Sequence, residues 1–196
     1  YEDALSGFLS LQDNTKYKTL VPYYIAEIYL IKKNYDKAEI VAQNYLSAYP
    51  NQKYTGEMYR IQGTADYYSG KYHEAAEAFN RYLKDNVEST RRRDALYMLG
   101  MSYYQTGVYS QVPVILGEVT TDNDALTQNA YLHMGLAYLQ LADRNKARMA
   151  FEQAAASDAD QKIKEQASYN YALCIHETSY SAFGESVTVF EHFLNE

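Results

Sequence analysis

The 196-residue chain has no tryptophan, one cysteine, three prolines and nine glycines. A lone thiol, Cys174, excludes an internal disulfide framework and leaves the redox compartment open. So few turn-forming residues do not suit a many-turned β-sandwich; they suit a succession of helices. No run of 18 apolar residues occurs, so no segment reads as a membrane span. The opening residues, Tyr1-Glu2-Asp3-Ala4-Leu5, do not read as a signal peptide. Cations are outnumbered, 18 Lys and Arg against 25 Asp and Glu, for a net charge of −7. That balance speaks against nucleic acid or an anionic membrane surface as the partner, since either calls for excess positive charge. What is abundant is tyrosine, 23 residues in a chain that is 47% apolar, enough for a packed core.

A repeat organises these residues. The segments Gly63 to Tyr72 and Gly100 to Tyr109 both read G-x-x-x-Y-x-x-G-x-Y. Weaker copies bring the small residue to Ala26, Gly63, Gly100, Gly135 and Ala172, at spacings of 37, 37, 35 and 37. Twelve residues after the first four stand Ala38, Ala75, Val112 and Ala147; Ala4 plays this part earlier and Ser186 later, two residues late. Four further on come Phe8, Ala42, Phe79, Leu116, Phe151 and Phe190, then after three more Leu11, Tyr45, Tyr82, Val119, Ala154 and Phe193. Steps of four and three fall on one helical stripe, so these positions face inward. Each unit is thus two amphipathic helices, A then B. Gly or Ala on helix A lets the two approach closely, and bulk there overpacks the contact by roughly 1–3 kcal/mol. Gly70 and Gly107 sit in the A-to-B turns, where the left-handed conformation ends a helix.

This pattern resembles the tetratricopeptide repeat (TPR), best at Tyr131, Met134, Gly135, Tyr138, Ala147, Phe151 and Ala154. The resemblance implies an all-α, right-handed TPR-like solenoid of antiparallel helix pairs, about 11 helices in a single array. Its expected parts are an orphan B helix at 1–13 and repeats at 19–52, 56–88, 93–124, 128–159 and 165–196. The pattern departs from the family in its longer spacing and in Val112-Pro113, where alanine is usual. A Ser110 cap would place Pro113 harmlessly in the first turn. The late B helix of the last unit implies an irregular loop from Thr178 to Phe183. Neither end carries a polar capping face, so flanking repeats of the same chain are expected.

Motifs for chemistry are missing. There is no G-x-S-x-G, no phosphate-binding G-x-x-x-x-G-K-[ST] and no G-x-G-x-x-G. His73-Glu74 opens like a zinc-protease helix, but position 77 is glutamate. Asp122-Asn123-Asp124 lacks the later residues of a calcium loop and reads, like Asp158 and Asp160, as turn chemistry. Cys174 reads as a buried structural thiol, and Arg91-Arg92-Arg93 as a solvated inter-repeat segment. The reading is a non-enzyme without cofactor or metal.

The resemblance also implies that A helices line a concave binding face. Its candidate binding residues are Tyr23, Glu27, Arg60, Tyr67, Tyr68, Tyr97, Met101, Tyr104, Leu132, Leu136, Tyr169 and His176. Across the whole mapped face the charged positions are Glu27, Glu57, Asp94 and Glu177 against Arg60, a net of −3. The Lys, Arg and Asn clamp of chaperone-binding relatives is missing, so the face reads as a tyrosine-rich, mildly acidic trough. The partner expected is a protein or peptide segment held by apolar anchors. Two other readings stand beside it: a structural spacer or self-assembling array, and a glycan or peptidoglycan-fragment binder using tyrosine stacking. The B-helix endings Tyr45 to Pro50 and Phe190 to Leu194 look like the TPR subtype of bacterial envelope proteins, which implies a setting in the bacterial periplasm or cell envelope.

Overall fold

A computed structural model describes residues 1–85, 90–178 and 184–195. Among them are eleven α-helices: α1 (Glu2–Ser10), α2 (Leu20–Ile31), α3 (Tyr35–Ala48), α4 (Thr55–Tyr68), α5 (Tyr72–Asp85) and α6 (Arg92–Gln105), then α7 (Val112–Gly117), α8 (Ala125–Gln140), α9 (Arg144–Ala155), α10 (Gln161–Thr178) and α11 (Gly184–Asn195). Consecutive helices pack as pairs, α2 with α3, α4 with α5, α8 with α9 and α10 with α11. The expected all-α fold of about 11 paired helices is therefore observed. Two compact units divide the chain, Tyr1–Ser102 and Tyr103–Glu196. The loop expected to be irregular lies outside the described residues, apart from Thr178 at the end of α10.

The small-residue register is where the pairs close. Ala26 and Ala172 are fully buried, and Gly63, Gly100 and Gly135 are buried with them. A β-carbon placed on Gly63 would meet the Phe79 ring at 3.0 Å; on Gly135 it would meet Phe151 at 2.5 Å. The inward stripe of helix B is buried as its spacing predicts: Ala38, Ala75, Val112, Ala147, Phe79, Leu116 and Phe151 have no exposure. Each fully buried Phe contributes about 1.5–3 kcal/mol of hydrophobic stabilisation.

The turns repeat as strictly as the cores. Gly70 and Gly107 take positive φ, +77° and +76°, as expected of them. The same register position in two other units holds Lys33 at 56° and Ala142 at 58°, which the sequence pattern did not single out. In all four, the next residue's N–H reaches back to the carbonyl five residues earlier: Asn34 to Tyr29, Lys71 to Asp66, Val108 to Tyr103 and Asp143 to Tyr138. The turn residue's own N–H also reaches the carbonyl three residues earlier, as Gly70 does to Tyr67, and this double closure satisfies the last carbonyls of helix A and fixes the direction of helix B. The closure is strong enough to hold non-glycine residues in a conformation that disfavours them.

Two expectations need correction. The first helix stops at Ser10 instead of running to 13, so Leu11 becomes its C-cap and is 39% exposed instead of facing inward. Helix α7 starts after Gln111, not Ser110; Pro113 still falls in the first turn, where its missing N–H costs nothing. At six residues α7 is also much shorter than the 14 of α5.

Candidate functional site

In the first unit, the A-helix positions of α2, α4 and the start of α6 build a tyrosine and ion-pair face. Tyr23 stacks on Tyr54 with centroids 4.7 Å apart and tilts against Tyr24 at 5.1 Å. Burial, reinforced by the Glu27 carboxylate, pushes the Tyr23 phenol above its ordinary range. Further along, Tyr67 meets Tyr68 edge-on at 5.3 Å, and Tyr68 in turn stacks on Tyr35 at 5.0 Å. Tyr67 is half-buried while Tyr68 is 56% exposed, so Tyr68 presents one ring face outward. Tyr97 is half-buried, and burial beside the Tyr67 and Tyr68 phenols lifts its hydroxyl to about 12. The raised phenols of Tyr23, Tyr67 and Tyr97 stay neutral hydrogen-bonding groups on this aromatic surface.

Charge on this face is internally balanced. Arg60 donates to Glu27 through Nη2 and to Glu57 Oε2 through Nε, the latter at 2.7 Å. Arg91 Nη1 reaches Glu27 Oε1 at 2.6 Å and Glu57 Oε2 at 3.3 Å. Two guanidinium groups thus bind two carboxylates. The Arg60 side chain is 9% exposed and that of Glu27 14%, so solvent screens this pair little, whereas Arg91, at 47%, closes the cluster from the solvent side. The mildly acidic trough expected from sequence is therefore neutralised around α2 and α4, because Arg91 folds onto carboxylates that lie far back in the chain. Arg91 read as solvated; its partners lie 34 and 64 residues away, and no local pattern announces them. A cavity of about 170 Å³ lies beside the cluster, lined by Arg60, Thr64, Phe79, Arg91, Asp94, Ala95 and Met98. Met101, a predicted contact residue, is buried at 6% exposure.

In the second unit, Tyr104 meets Tyr109 edge-on at 5.6 Å and His133 at 5.4 Å. Burial holds the His133 imidazole below its usual range, against the Asn129 carbonyl that favours its protonation. Leu136 is half-buried, whereas Leu132 is 3% exposed and belongs to the core with Ala147, Phe151 and Cys174. Tyr169 is exposed, its ring 6.1 Å from Phe193 of α11, and His176 is exposed at the end of α10. The turn readings are matched by capping roles. Asp124 accepts the Thr127 N–H at 2.9 Å, and Asp160 accepts those of Lys162 and Ile163 at 2.9 and 3.2 Å.

Two buried polar residues went unnoticed in the sequence. Asp66 is 1% exposed, and neither carboxylate oxygen has a hydrogen-bond partner. Burial, with Glu39 adding to it, lifts its carboxyl to about 7. A signal existed: three of the other units place tyrosine at this register position, Tyr29, Tyr103 and Tyr138, and the last places Ile175. Gln128, fully buried, donates to the carbonyls of Ala154 at 3.0 Å and Ser157 at 2.6 Å, and accepts the Asp160 N–H at 2.7 Å. Cys174 is 2% exposed and burial raises its thiol, which disfavours the nucleophilic thiolate. Among the described residues no three His, Cys, Asp or Glu side chains gather as a metal set. No described helix is long and apolar enough to cross a membrane.

Residues 62–110 and 129–160 each match the tetratricopeptide repeat family. Among solved structures, YrrB, described as a TPR protein with an unusual peptide-binding site, is 15% identical; the match covers 96% of this chain and 91% of that one, with a TM-score of 0.76. MamA matches at 21% identity over 92% of each chain, TM-score 0.72. BtubC (BKLC) from P. vanneervenii matches at 14% identity over 99% of this chain and 85% of its own, TM-score 0.69. These likenesses show the fold. No curated protein matches the chain.

Proposed function

We propose that this chain of tetratricopeptide repeats is a non-catalytic scaffold that holds a peptide segment of a protein partner on its A-helix face. The observation that carries the reading is the face of the first unit. There the outward ring of Tyr68, backed by Tyr35 and Tyr67, shares one helix with the neutralised Arg60 cluster. Tyrosine supplies large contact area at low entropic cost, and a pre-paired ion cluster offers directional hydrogen bonding without demanding a charged ligand. The likeness to YrrB, a protein with a peptide-binding site, supports the same reading.

A random 12-residue phage-displayed peptide library, panned on the chain, supplies candidates for titration by isothermal calorimetry. Peptides bound by the wild type lose about tenfold or more in affinity to a Tyr67→Ala, Tyr68→Ala variant whose helicity is intact. Equal binding by the two proteins sinks the proposal. Placement in the bacterial envelope rests on the likeness of the B-helix endings alone. Fractionation of the native host, with the chain in the periplasmic fraction, is its test; recovery in the cytosol rejects it.

A further inference from the structure

We infer a second peptide-docking surface, selective for acidic segments with a bulky apolar anchor, between α1, α2 and α3. A groove of about 450 Å³ opens there over Pro22, Ile25 and Val41, with Tyr29 and Tyr49 as walls. Pro22, Ile25 and Tyr29 fall on a different side of α2 from Tyr23 and Glu27, so this is not the A-helix face described above. The volume suits two or three side chains, and the wall is aromatic and aliphatic.

Charge identifies the occupant. Lys18 and Lys37 stand at the rim, their ammonium groups 6.0 Å from the Tyr49 ring centroid and 5.5 Å from that of Tyr29. Neither lysine forms an ion pair among the described residues, and no acid lines the groove. Two cations without acidic neighbours in the lining stand here over an apolar floor, in a chain of net charge −7. The corresponding seam of the next repeat shows that this charge is a choice of side chains on the same frame. There Asp66, Glu74 and Glu77 replace Tyr29, Lys37 and Ile40. In the α8–α9 seam the equivalent Lys146 is already paired with Asp143 at 2.9 Å. A carboxylate reaching Lys18 or Lys37 gains a partner held over an aromatic face, while an aliphatic or aromatic side chain covers Ile40, 56% exposed, and Val41. A membrane surface shares the anionic chemistry, but two cations against a net charge of −7 disfavour it.

The probe is a fluorescein-labelled peptide of sequence Asp-Glu-Leu-Phe-Asp-Glu, followed by fluorescence anisotropy with the whole 196-residue chain. The expected result is saturable binding that weakens with added salt, weakens about tenfold in a Lys18→Glu, Lys37→Glu variant, and survives Tyr67→Ala with Tyr68→Ala. A peptide with Ser-Ser for Leu-Phe, or Lys for each acid, binds at least several-fold more weakly. Both lysines are exposed, so the charge reversal leaves the fold intact, as circular dichroism verifies. Absence of binding, equal binding by the charge-reversed variant, or loss confined to the tyrosine variant each overturns the assignment. So does sedimentation with phosphatidylglycerol vesicles that the charge reversal abolishes while peptide binding is absent.

Discussion

The helix pairs α4–α5 and α8–α9 are built on one plan and differ at the positions the plan leaves open. Both close on a glycine against a phenylalanine, Gly63 on Phe79 and Gly135 on Phe151. Both place a tyrosine four residues before that glycine, Tyr59 and Tyr131. Beside this shared frame, one pair carries Asp66, Glu74 and Glu77 at the register positions where the other carries Tyr138, Lys146 and Met149. The entry to the pair also differs. Thr55 links the start of α4 to the Tyr49 carbonyl at 2.8 Å, whereas Gln128 ties α8 to the α9–α10 connection with three hydrogen bonds. Positions that set the distance between helices are therefore constrained, and positions one step round the helix are free to carry charge or grease.

Breaking the α8–α9 pair is expected to have the largest effect at Gln128. Gln128→Leu leaves one buried carbonyl, one part-buried carbonyl and one part-buried N–H without their partner, at a cost of about 2 kcal/mol. Urea denaturation measures it; a loss below that of an exposed substitution such as Gln140→Leu contradicts the role. Next comes the glycine contact. Gly135→Ala lowers stability by about 1–2 kcal/mol because Phe151 must move, despite the helix-propensity gain. Gly63→Ala is near neutral, since its 3.0 Å contact needs only a small shift. Equal effects at the two sites would remove the distinction between them.

The third difference is a pH dependence peculiar to α4. The Asp66 carboxyl is raised to about 7 in the fold, against an unfolded value near 3.8, so its stabilisation is complete below the lower value and is lost as pH rises through the upper. Asp66→Asn therefore gains on the wild type between pH 5 and pH 8, by more than about 1 kcal/mol. Thermal melts of both proteins across that range should diverge in this sense; parallel curves rule it out. Smallest is the turn. Ala142→Gly relieves a positive φ and stabilises by about 0.5–1 kcal/mol, while Gly70→Ala at the same register position destabilises by a similar amount.

Legibility in the sequence followed the range of the interaction. Helix pairing, the inward stripe and the glycine turns were visible because each depends on spacing within one repeat. Lys33 and Ala142 escaped notice because their side chains give no turn signal, although their register with Gly70 and Gly107 could have supplied one. Of the face residues, Tyr68 and Tyr169 are exposed as a contact role requires, but Met101 and Leu132 are core. A helical stripe one step away from the packing seam is ambiguous until the neighbouring helices are in place.

By itself the sequence determined a chain of paired helices and where each pair closes. A small residue every 35–37 positions, with a buried partner 16 residues later in repeats one to four, has few other packing solutions. Only the tertiary structure decided the electrostatics: that Arg91 neutralises Glu27 from 64 residues away, that Gln128 staples a connection 29 residues on, and that Asp66 is left without a partner. Periodicity is a property of one helix and can be read along the chain. The environment of a charge is set by whichever helices pack around it, and that exists only once they have.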